Sequence, residues 1–341
     1  MENSPIQSSS TGKKIIPFDN RFYRTWYLRK LYFKIIKTQV LKIGLKNTII
    51  TQFPFTFPDA SRPPSLSLEF TNLCNLKCTY CTSPHKERQS GLMKQQTLER
   101  IVEDIAQFKI PRVRIVGNGE PTIHPQLREY LSLLKKVTPV VTLTTNGNFI
   151  KERVVQDIID TGVDQINISV DGHTKKTYEK YRLGGHFEKL VENLRLLKRY
   201  RDQHKSKSII NIRVMISPDE FEQIAEINAF WQPYADVVSR QYIINANEKL
   251  ENDTFETNSH TDRFPKCSLP FKVLDINWNG NVPLCTYSIK QSGIKDGVLL
   301  GNINHQNLQQ IWNHPLITQY RNAHRKRVEG SMPLCKGCWG T

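Results

Sequence analysis

Three cysteines stand close together early in the chain. Cys74, Cys78 and Cys81 have the spacing C-x-x-x-C-x-x-C. Residues 65–70, just before them, alternate polar and apolar side chains, which predicts a strand, so the cysteines are expected on the loop at its carboxyl end. Thiolates at this density suit zinc or an iron–sulfur cluster, and three protein ligands leave a coordination position open for chemistry. A zinc knuckle whose fourth ligand lies elsewhere is the alternative.

The other four cysteines all lie in the last quarter of the chain. They are Cys267, Cys285, Cys335 and Cys338, of which the last two form a C-x-x-C pair. Four thiolates can close a tetrahedral zinc site or ligate an iron–sulfur cluster fully. Residues 1–12 are polar and lack the apolar stretch of a secretory signal. We therefore interpret all seven cysteines as metal ligands in a reducing cytosol rather than as disulfide partners.

An alternation of strands and helices must position the first cysteine loop. Strand patterns recur six times, separated by helical periodicity, at residues 65–70, 113–116, 140–144, 165–170, 209–216 and 237–244. This order predicts a parallel α/β sheet or barrel, whose functional groups gather at the carboxyl ends of the strands.

Polar and glycine-rich segments follow three of these strands. They are Gly117-Asn118-Gly119-Glu120-Pro121, Thr144-Thr145-Asn146-Gly147 and Ser169-Val170-Asp171-Gly172, with Arg182 shortly after the last. Glycines let a backbone approach a ligand closely, and a guanidinium suits a carboxylate. The simpler interpretations are ordinary turns, a helix cap at Asp171 and a surface ion pair at Arg182.

Taken together, the cysteine spacing and these segments resemble the radical SAM enzymes. Tyr80 is the aromatic residue that the family has before its third cysteine, and residues 117–121 resemble its G-G-E-P segment with Asn118 inserted. The resemblance implies a partial (β/α)6 barrel over residues 65–244. It also implies that Cys74, Cys78 and Cys81 bind a [4Fe–4S] cluster whose fourth iron chelates S-adenosylmethionine (SAM). The cofactor-binding residues implied are Tyr80, Gly117, Gly119, Glu120, Pro121, Asn146, Ser169 and Arg182.

The C-terminal segment resembles the SPASM and Twitch extensions of the same family. The resemblance rests on N-G-x-V-x-x-C at residues 279–285 and on G-N-I with a later I-W between residues 301 and 312. It implies a small Fe–S domain over residues 267–341 with an auxiliary [4Fe–4S] cluster on the four later cysteines. Because these are fewer than a full SPASM domain has, the single-cluster form is expected.

The remaining segments divide the chain further. The net charge is +16, and residues 13–46 hold ten Lys or Arg against one Asp. Within the N-terminal segment 1–50, aromatic and basic residues mix over residues 20–45, which predicts a helix at a membrane interface, a helix packed on the main domain or, less favoured, a nucleic-acid contact. Residues 51–64 predict a proline-rich linker, and residues 245–266 a second linker.

The favoured function is that of a radical SAM oxidoreductase acting on a small polyol, sugar or aminocyclitol. The resemblance implies an external electron donor such as flavodoxin or ferredoxin. The cysteine pattern without a secretory signal predicts a cytoplasmic location, and the basic segment extends this prediction to peripheral contact with the inner membrane face. No residue identifies the group that deprotonates the substrate, and epimerisation stays open. The alternatives are a peptide or protein maturase and a metal-stabilised nucleic-acid binder without catalysis, which would leave the strand-end motifs as coincidence.

Overall fold

The computed structural model describes residues 62–81, 89–149, 151–216, 218–242, 267–285, 298–326 and 335. The basic segment 20–45, most of the predicted linker 51–64, the linker 245–266 and Cys338 lie outside these residues. Among the described residues, no helix is long and apolar enough to cross a membrane.

A parallel sheet forms the centre of the described chain. Eleven strands are described: β1 Leu66–Leu68, β2 Lys77–Cys78, β3 Arg112–Ile115, β4 Val140–Thr145, β5 Gln165–Asp171, β6 Arg182–Leu183, β7 Ile209–Ile216, β8 Val237–Tyr242, β9 Leu274–Ile276, β10 Asn281–Pro283 and β11 Leu299–Asn302. Seven of them form the sheet in the order β8-β7-β5-β4-β3-β1-β9, and every neighbouring pair is parallel. The predicted α/β class and the six predicted strands are confirmed.

Helices connect the strands. The described α-helices are α1 Gln95–Phe108, α2 Leu127–Val137, α3 Arg153–Asp160, α4 Lys175–Tyr181, α5 Phe187–Gln203, α6 Ile224–Trp231, α7 Leu269–Lys272, α8 Leu308–Trp312 and α9 Pro315–Lys326. Helix α4 was not predicted. Its N-cap is Thr174, whose side chain accepts a hydrogen bond from the Thr177 N–H, so the alternative that Asp171 caps this helix is wrong.

The two faces of the sheet differ in chemistry. Alternate side chains of each strand, such as Val113, Leu143 and Ile168, join the apolar core with the helices. The intervening side chains form what we call the inner face: Ser67, Arg112, Arg114, Val140, Thr142, Thr144, Gln165, Asn167, Ser169, Asp171, Ile209, Asn211, Arg213, Met215, Val237, Ser239, Gln241 and Asp275. Most of these are polar, the exceptions being Val140, Ile209, Met215 and Val237, and such a face suits a polar ligand better than further packing.

The seventh strand of the sheet comes from the C-terminal segment. β9 pairs in parallel with β1, with Leu66 opposite Leu274 and Leu68 opposite Ile276. The segment then forms the antiparallel pair β10–β11, whose first strand lies within the N-G-x-V-x-x-C stretch. A buried contact adds to this connection, because the Leu308 N–H donates to the carboxylate of Asp104 on α1 at 2.7 Å. The sequence did not predict the pairing of β9 with β1.

Candidate active site

The cysteine loop leaves the carboxyl end of β1, as predicted, and a short antiparallel pair anchors it. Within this pair, formed by β2 and β6, Cys78 lies opposite Arg182. The Thr79 N–H donates to the carbonyl of Tyr181, and the Cys81 N–H to that of Cys78. The main chain of the loop is therefore fixed on both sides of Cys78.

The environment of the first loop favours the protonated thiol at two of its cysteines, Cys74 and Cys78. Cys74, Cys78 and Cys81 are all free of disulfides. Burial raises the pKa of Cys74 and raises that of Cys78 to about 12. Such thiols lose their protons when a metal binds, because only the thiolate is a ligand.

The glycine-rich segment after β3 lies directly against the cysteine loop. A Cβ atom on Gly119 would lie 2.3 Å from the carbonyl oxygen of Thr71 and 2.4 Å from that of Leu73. The Glu120 N–H donates to the same Leu73 carbonyl at 2.8 Å. Only glycine permits this close approach at position 119.

Glu120 is buried, and its carboxylate connects three segments of this site. One oxygen accepts hydrogen bonds from the Thr122 N–H, the Thr122 hydroxyl and the Thr145 hydroxyl, and the other accepts one from the Asn146 N–H. Burial raises the pKa of this carboxyl group, while the four donors oppose the rise. Glu120 thus holds the glycine-rich segment against the end of β4. The short 3-10 helix Pro121–Ile123 follows directly after Glu120.

Asn146 lies beside the first cysteine. Its amide nitrogen donates to Asn75 Oδ1 at 2.8 Å and lies 3.9 Å from the Cys74 sulfur. The Leu76 N–H lies 3.4 Å from the same sulfur. Hydrogen bonds to a ligating sulfur stabilise its thiolate and tune a bound cluster. The turn after β4 therefore contacts the cysteine loop directly.

Tyr80, Asp171 and Arg182 form a buried cluster beneath the loop, which we call the anchoring triad. The Tyr80 hydroxyl lies within 2.9 Å of both Asp171 oxygens, and Arg182 Nε donates to Asp171 at 2.6 Å. Arg182 Nη2 also donates to the Tyr80 oxygen at 3.1 Å. Burial disfavours the Arg182 charge, but Asp171, Tyr80 and Cys78 together outweigh it and raise the pKa of Arg182. Arg182 thus binds a carboxylate, but one that belongs to this chain.

Sequence reasoning missed the part that Asp171 and Glu69 take in this site. Asp171 ends β5 and is fully buried. Glu69 follows β1, and its Oε2 accepts a hydrogen bond from the Asn118 N–H at 3.1 Å. A Cβ on Gly117 would lie 2.7 Å from the Glu69 side chain. Their positions immediately after strands were the signal that could have found them.

Ser169 lies apart from these contacts, on the inner face. It is partly buried and opposite Arg213 of β7. Lower on the same face, hydrogen bonds run from Gln165 to Asn167, from Asn211 to Asn167 and from Ser239 to Asn211, all between 2.7 and 3.0 Å. This network fixes the polar side chains between β5 and β8.

Three of the four later cysteines are described. Cys267 is buried, and Cys285 and Cys335 are partly buried; none of them forms a disulfide. His324 on α9, which the sequence did not indicate, has Nε2 3.9 Å from the Cys335 sulfur. Cys338 lies outside the described residues, so the four-cysteine set stays a prediction.

The donor set around the first loop fits an iron–sulfur cluster with SAM. It offers three cysteine thiols on one loop, N–H groups near Cys74, and a glycine-lined contact at the carboxyl ends of β1 and β3. Among the described side chains, no three His, Cys, Asp or Glu residues converge on the position of a single metal ion.

Comparison with known proteins identifies the family. The model of the radical SAM superfamily matches residues 68–227, and that of the SPASM iron–sulfur cluster-binding domain matches residues 267–339. The chain belongs to the radical SAM superfamily and carries a C-terminal SPASM domain. Its cofactors are a SAM-binding [4Fe–4S] cluster with SAM, and an auxiliary iron–sulfur cluster.

The similar proteins have different activities. A tungsten-containing aldehyde ferredoxin oxidoreductase cofactor-modifying protein of Pyrococcus furiosus is 24% identical over 80% of this chain and 86% of its own length. The chain also matches GTP 3',8-cyclases, and spans 44% of one from Methanococcus maripaludis.

Two solved structures share the fold. SuiB of Streptococcus suis has a TM-score of 0.59 at 16% identity over 95% of this chain and 81% of its own. BtrN in complex with AdoMet and 2-DOIA has a TM-score of 0.54 at 16% identity over 80% and 91%.

Proposed function

We propose that this radical SAM enzyme oxidises a hydroxyl-bearing carbon of a small polar substrate, namely a polyol, a sugar or an aminocyclitol. The observation that carries the proposal is the inner face, most of whose side chains from β1 to β8 are polar. Hydroxyl groups would find donors and acceptors there. BtrN, whose structure was solved with 2-DOIA, supports such a substrate for this fold.

When bound, the cofactors would supply the redox chemistry: SAM on its cluster a group that removes a hydrogen atom, and the auxiliary cluster an acceptor for one electron. Removal of a hydrogen atom, a proton and one further electron from the hydroxyl-bearing carbon and its hydroxyl group would leave a ketone. The chain's own contribution is orientation and exclusion of water. We assign Cys74, Cys78 and Cys81 to the cluster. We assign to SAM the residues Gly117, Gly119, Glu120, Pro121, Asn146 and Ser169.

The anchoring triad has a positioning role in this proposal. Tyr80 and Arg182 are bound to Asp171, so they hold the cysteine loop over the carboxyl end of β5. We therefore assign positioning of the loop, rather than direct contact with SAM, as the main role of Tyr80 and Arg182.

The first experiment detects SAM cleavage. The protein is purified without oxygen, reconstituted with iron and sulfide, reduced with dithionite or flavodoxin, and given SAM; we expect 5'-deoxyadenosine by mass spectrometry. Cys78→Ala should abolish it, whereas Lys77→Ala, which changes the exposed neighbour in the same strand, should retain it. A cluster-loaded wild type that formed none, even with candidate substrates, would contradict the proposal.

Substrate screening then separates the two enzyme classes. Ketone formation from a polyol or sugar supports the proposal, while modification of a peptide would favour a maturase. The fold alone permits either, since SuiB was also solved bound to the precursor peptide SuiA.

We further propose a peripheral membrane contact through residues 20–45. Five Lys or Arg lie between residues 21 and 34 among aromatic side chains, a pattern that favours the surface of an anionic bilayer. Deleting residues 1–50 should abolish sedimentation with anionic liposomes and leave SAM cleavage intact. Equal sedimentation of the truncated and full-length proteins would contradict this contact.

A further inference from the structure

Three arginines lie on the inner face among otherwise neutral polar side chains. Arg112 and Arg114 alternate with the core residues Val113 and Ile115 on β3. Arg213 lies on β7, between the core residues Ile212 and Val214. All three are partly buried, so their charges are removed from much of the solvent that would otherwise stabilise them.

These charges are close enough to repel one another. The pKa of Arg213 is lowered by burial and by the charge of Arg114, and the pKa of Arg112 is lowered by the same two causes. The strand register places both arginines on the inner face, Arg114 beside Thr142 of β4 and Arg213 beside Ser169 of β5. Their long side chains therefore extend from the same face of the sheet.

The described chain does not neutralise this pair. None of its ion pairs or hydrogen bonds involves Arg114 or Arg213, and Arg114 Nε is buried without a hydrogen-bond partner. The acidic groups that face the same region are otherwise engaged: Asp171 binds Arg182, Glu69 accepts from Asn118, and Asp275 has contacts of its own. A buried donor left without an acceptor is costly unless a ligand supplies one.

We propose that Arg114 and Arg213 bind an oxyanion of the substrate, a carboxylate or a phosphate group. A guanidinium presents paired N–H donors that match either anion. This inference rests on the proposed function and narrows its substrate class to an acidic or phosphorylated polyol or sugar. A cationic aminocyclitol is disfavoured, because its ammonium group would be repelled by the arginines.

The test measures anion binding without turnover. Full-length protein reconstituted with its clusters is dialysed against radiolabelled inorganic phosphate in a Tris chloride buffer, with acetate as competitor, in the presence and absence of SAM. Saturable phosphate binding is expected for the wild type. Arg114→Gln and Arg213→Gln should each weaken it by about tenfold or more, since each removes a charge-assisted hydrogen bond. Strong competition by acetate would identify a carboxylate site, and weak competition a phosphate site.

The control is Arg199→Gln, which removes an exposed guanidinium from α5 and should leave phosphate binding unchanged. Arg213→Lys keeps the charge and loses the paired donors; it should bind phosphate less tightly than the wild type, and it serves if a glutamine variant fails to fold or to load iron. Equal phosphate binding by all variants, or none by the wild type, would overturn the inference.

SAM affinity separates the two sources of a carboxylate. Dialysis with radiolabelled SAM should give the same dissociation constant for the wild type and both glutamine variants. If Arg213→Gln lost SAM affinity instead, the arginines would hold the methionine carboxylate, and the inference would be wrong. A wild type that binds phosphate but never forms 5'-deoxyadenosine would refute the proposed function alone.

Discussion

The anchoring triad shows why a charged residue near a cofactor need not touch it. Arg182 and Asp171 form an ion pair with both side chains almost fully buried, at 6% and 1% exposure. Such a pair has a small net effect on stability, because desolvation offsets most of the attraction. Removing one partner destabilises the folded protein, because it leaves the other charge buried and unpaired.

Arg182→Gln should therefore lower the free energy of unfolding by about 3–5 kcal/mol. The double variant Arg182→Gln with Asp171→Asn should recover a large part of this loss, because no charge is left buried. Urea unfolding of both variants and of Asp171→Asn gives the coupling energy directly. Unchanged stability of Arg182→Gln together with a large loss of SAM affinity would instead support the cofactor contact that the sequence predicted.

Single residues were predictable where chemistry restricts the residue type. The three cysteines follow from their spacing, and the importance of Gly119 from the need for close approach. Asp171 was not separable from a helix cap by sequence, since an acidic residue after a strand serves either role. Thr174 is the cap because α4 begins directly after it. A helix of seven residues is too short for its first residue to be predicted from the sequence pattern.

At the scale of elements, the cysteine loop and the glycine-rich segment form one packed unit. The contact is between main chains, so its geometry depends on the absence of a side chain at position 119. Glu120 fastens the same unit to β4. A side chain introduced at position 119 is therefore expected to displace the cysteine loop and its thiols.

Gly119→Ala should push the two segments apart and cost about 1–3 kcal/mol of stability, as overpacking does. We expect lower iron content after reconstitution and weaker SAM binding, measured by iron analysis and by dialysis. Asn118→Ala, which adds no atom toward the loop, is the matched control and should load iron normally. Full iron loading of Gly119→Ala would show that the contact tolerates a methyl group.

The strands of the barrel were predictable, and β9 was not. β5 and β7 have seven and eight residues with clear alternation, whereas Leu274-Asp275-Ile276 is too short to stand out from a loop. β1, the strand that β9 pairs with, is also remote in the sequence. No local pattern therefore predicts the pairing.

At the scale of the whole molecule, the C-terminal segment completes the central sheet. β9 covers the free edge of β1, and the Leu308 N–H donates to one oxygen of the buried Asp104 carboxylate. Arg321 on α9 adds hydrogen bonds to the carbonyls of Pro270 and Trp312. The domain boundaries predicted around residues 245–266 stay a prediction. These contacts indicate that the central sheet depends on the C-terminal segment for its stability.

A protein that ends at residue 266 should aggregate or unfold without cooperativity, because the edge of β1 and its apolar neighbours would be uncovered. A protein that ends at Lys326 keeps β9, α8 and α9 and should unfold cooperatively, which makes it the matched control. Size-exclusion chromatography and thermal unfolding compare the two. A soluble, cooperatively folded fragment 1–266 would show that the barrel is independent of the C-terminal segment.

The pairing of β1 with β9 also sets an order of events during protein synthesis. Leu66 pairs with Val113 on one side and with Leu274 on the other, so one edge of β1 waits until most of the chain has left the ribosome. Contacts so distant in sequence form slowly, and an unpaired strand edge is prone to aggregation in the meantime. The loop that bears the first three cysteines extends from this strand, so its final shape, and with it cluster insertion, depends on the last quarter of the chain to be translated.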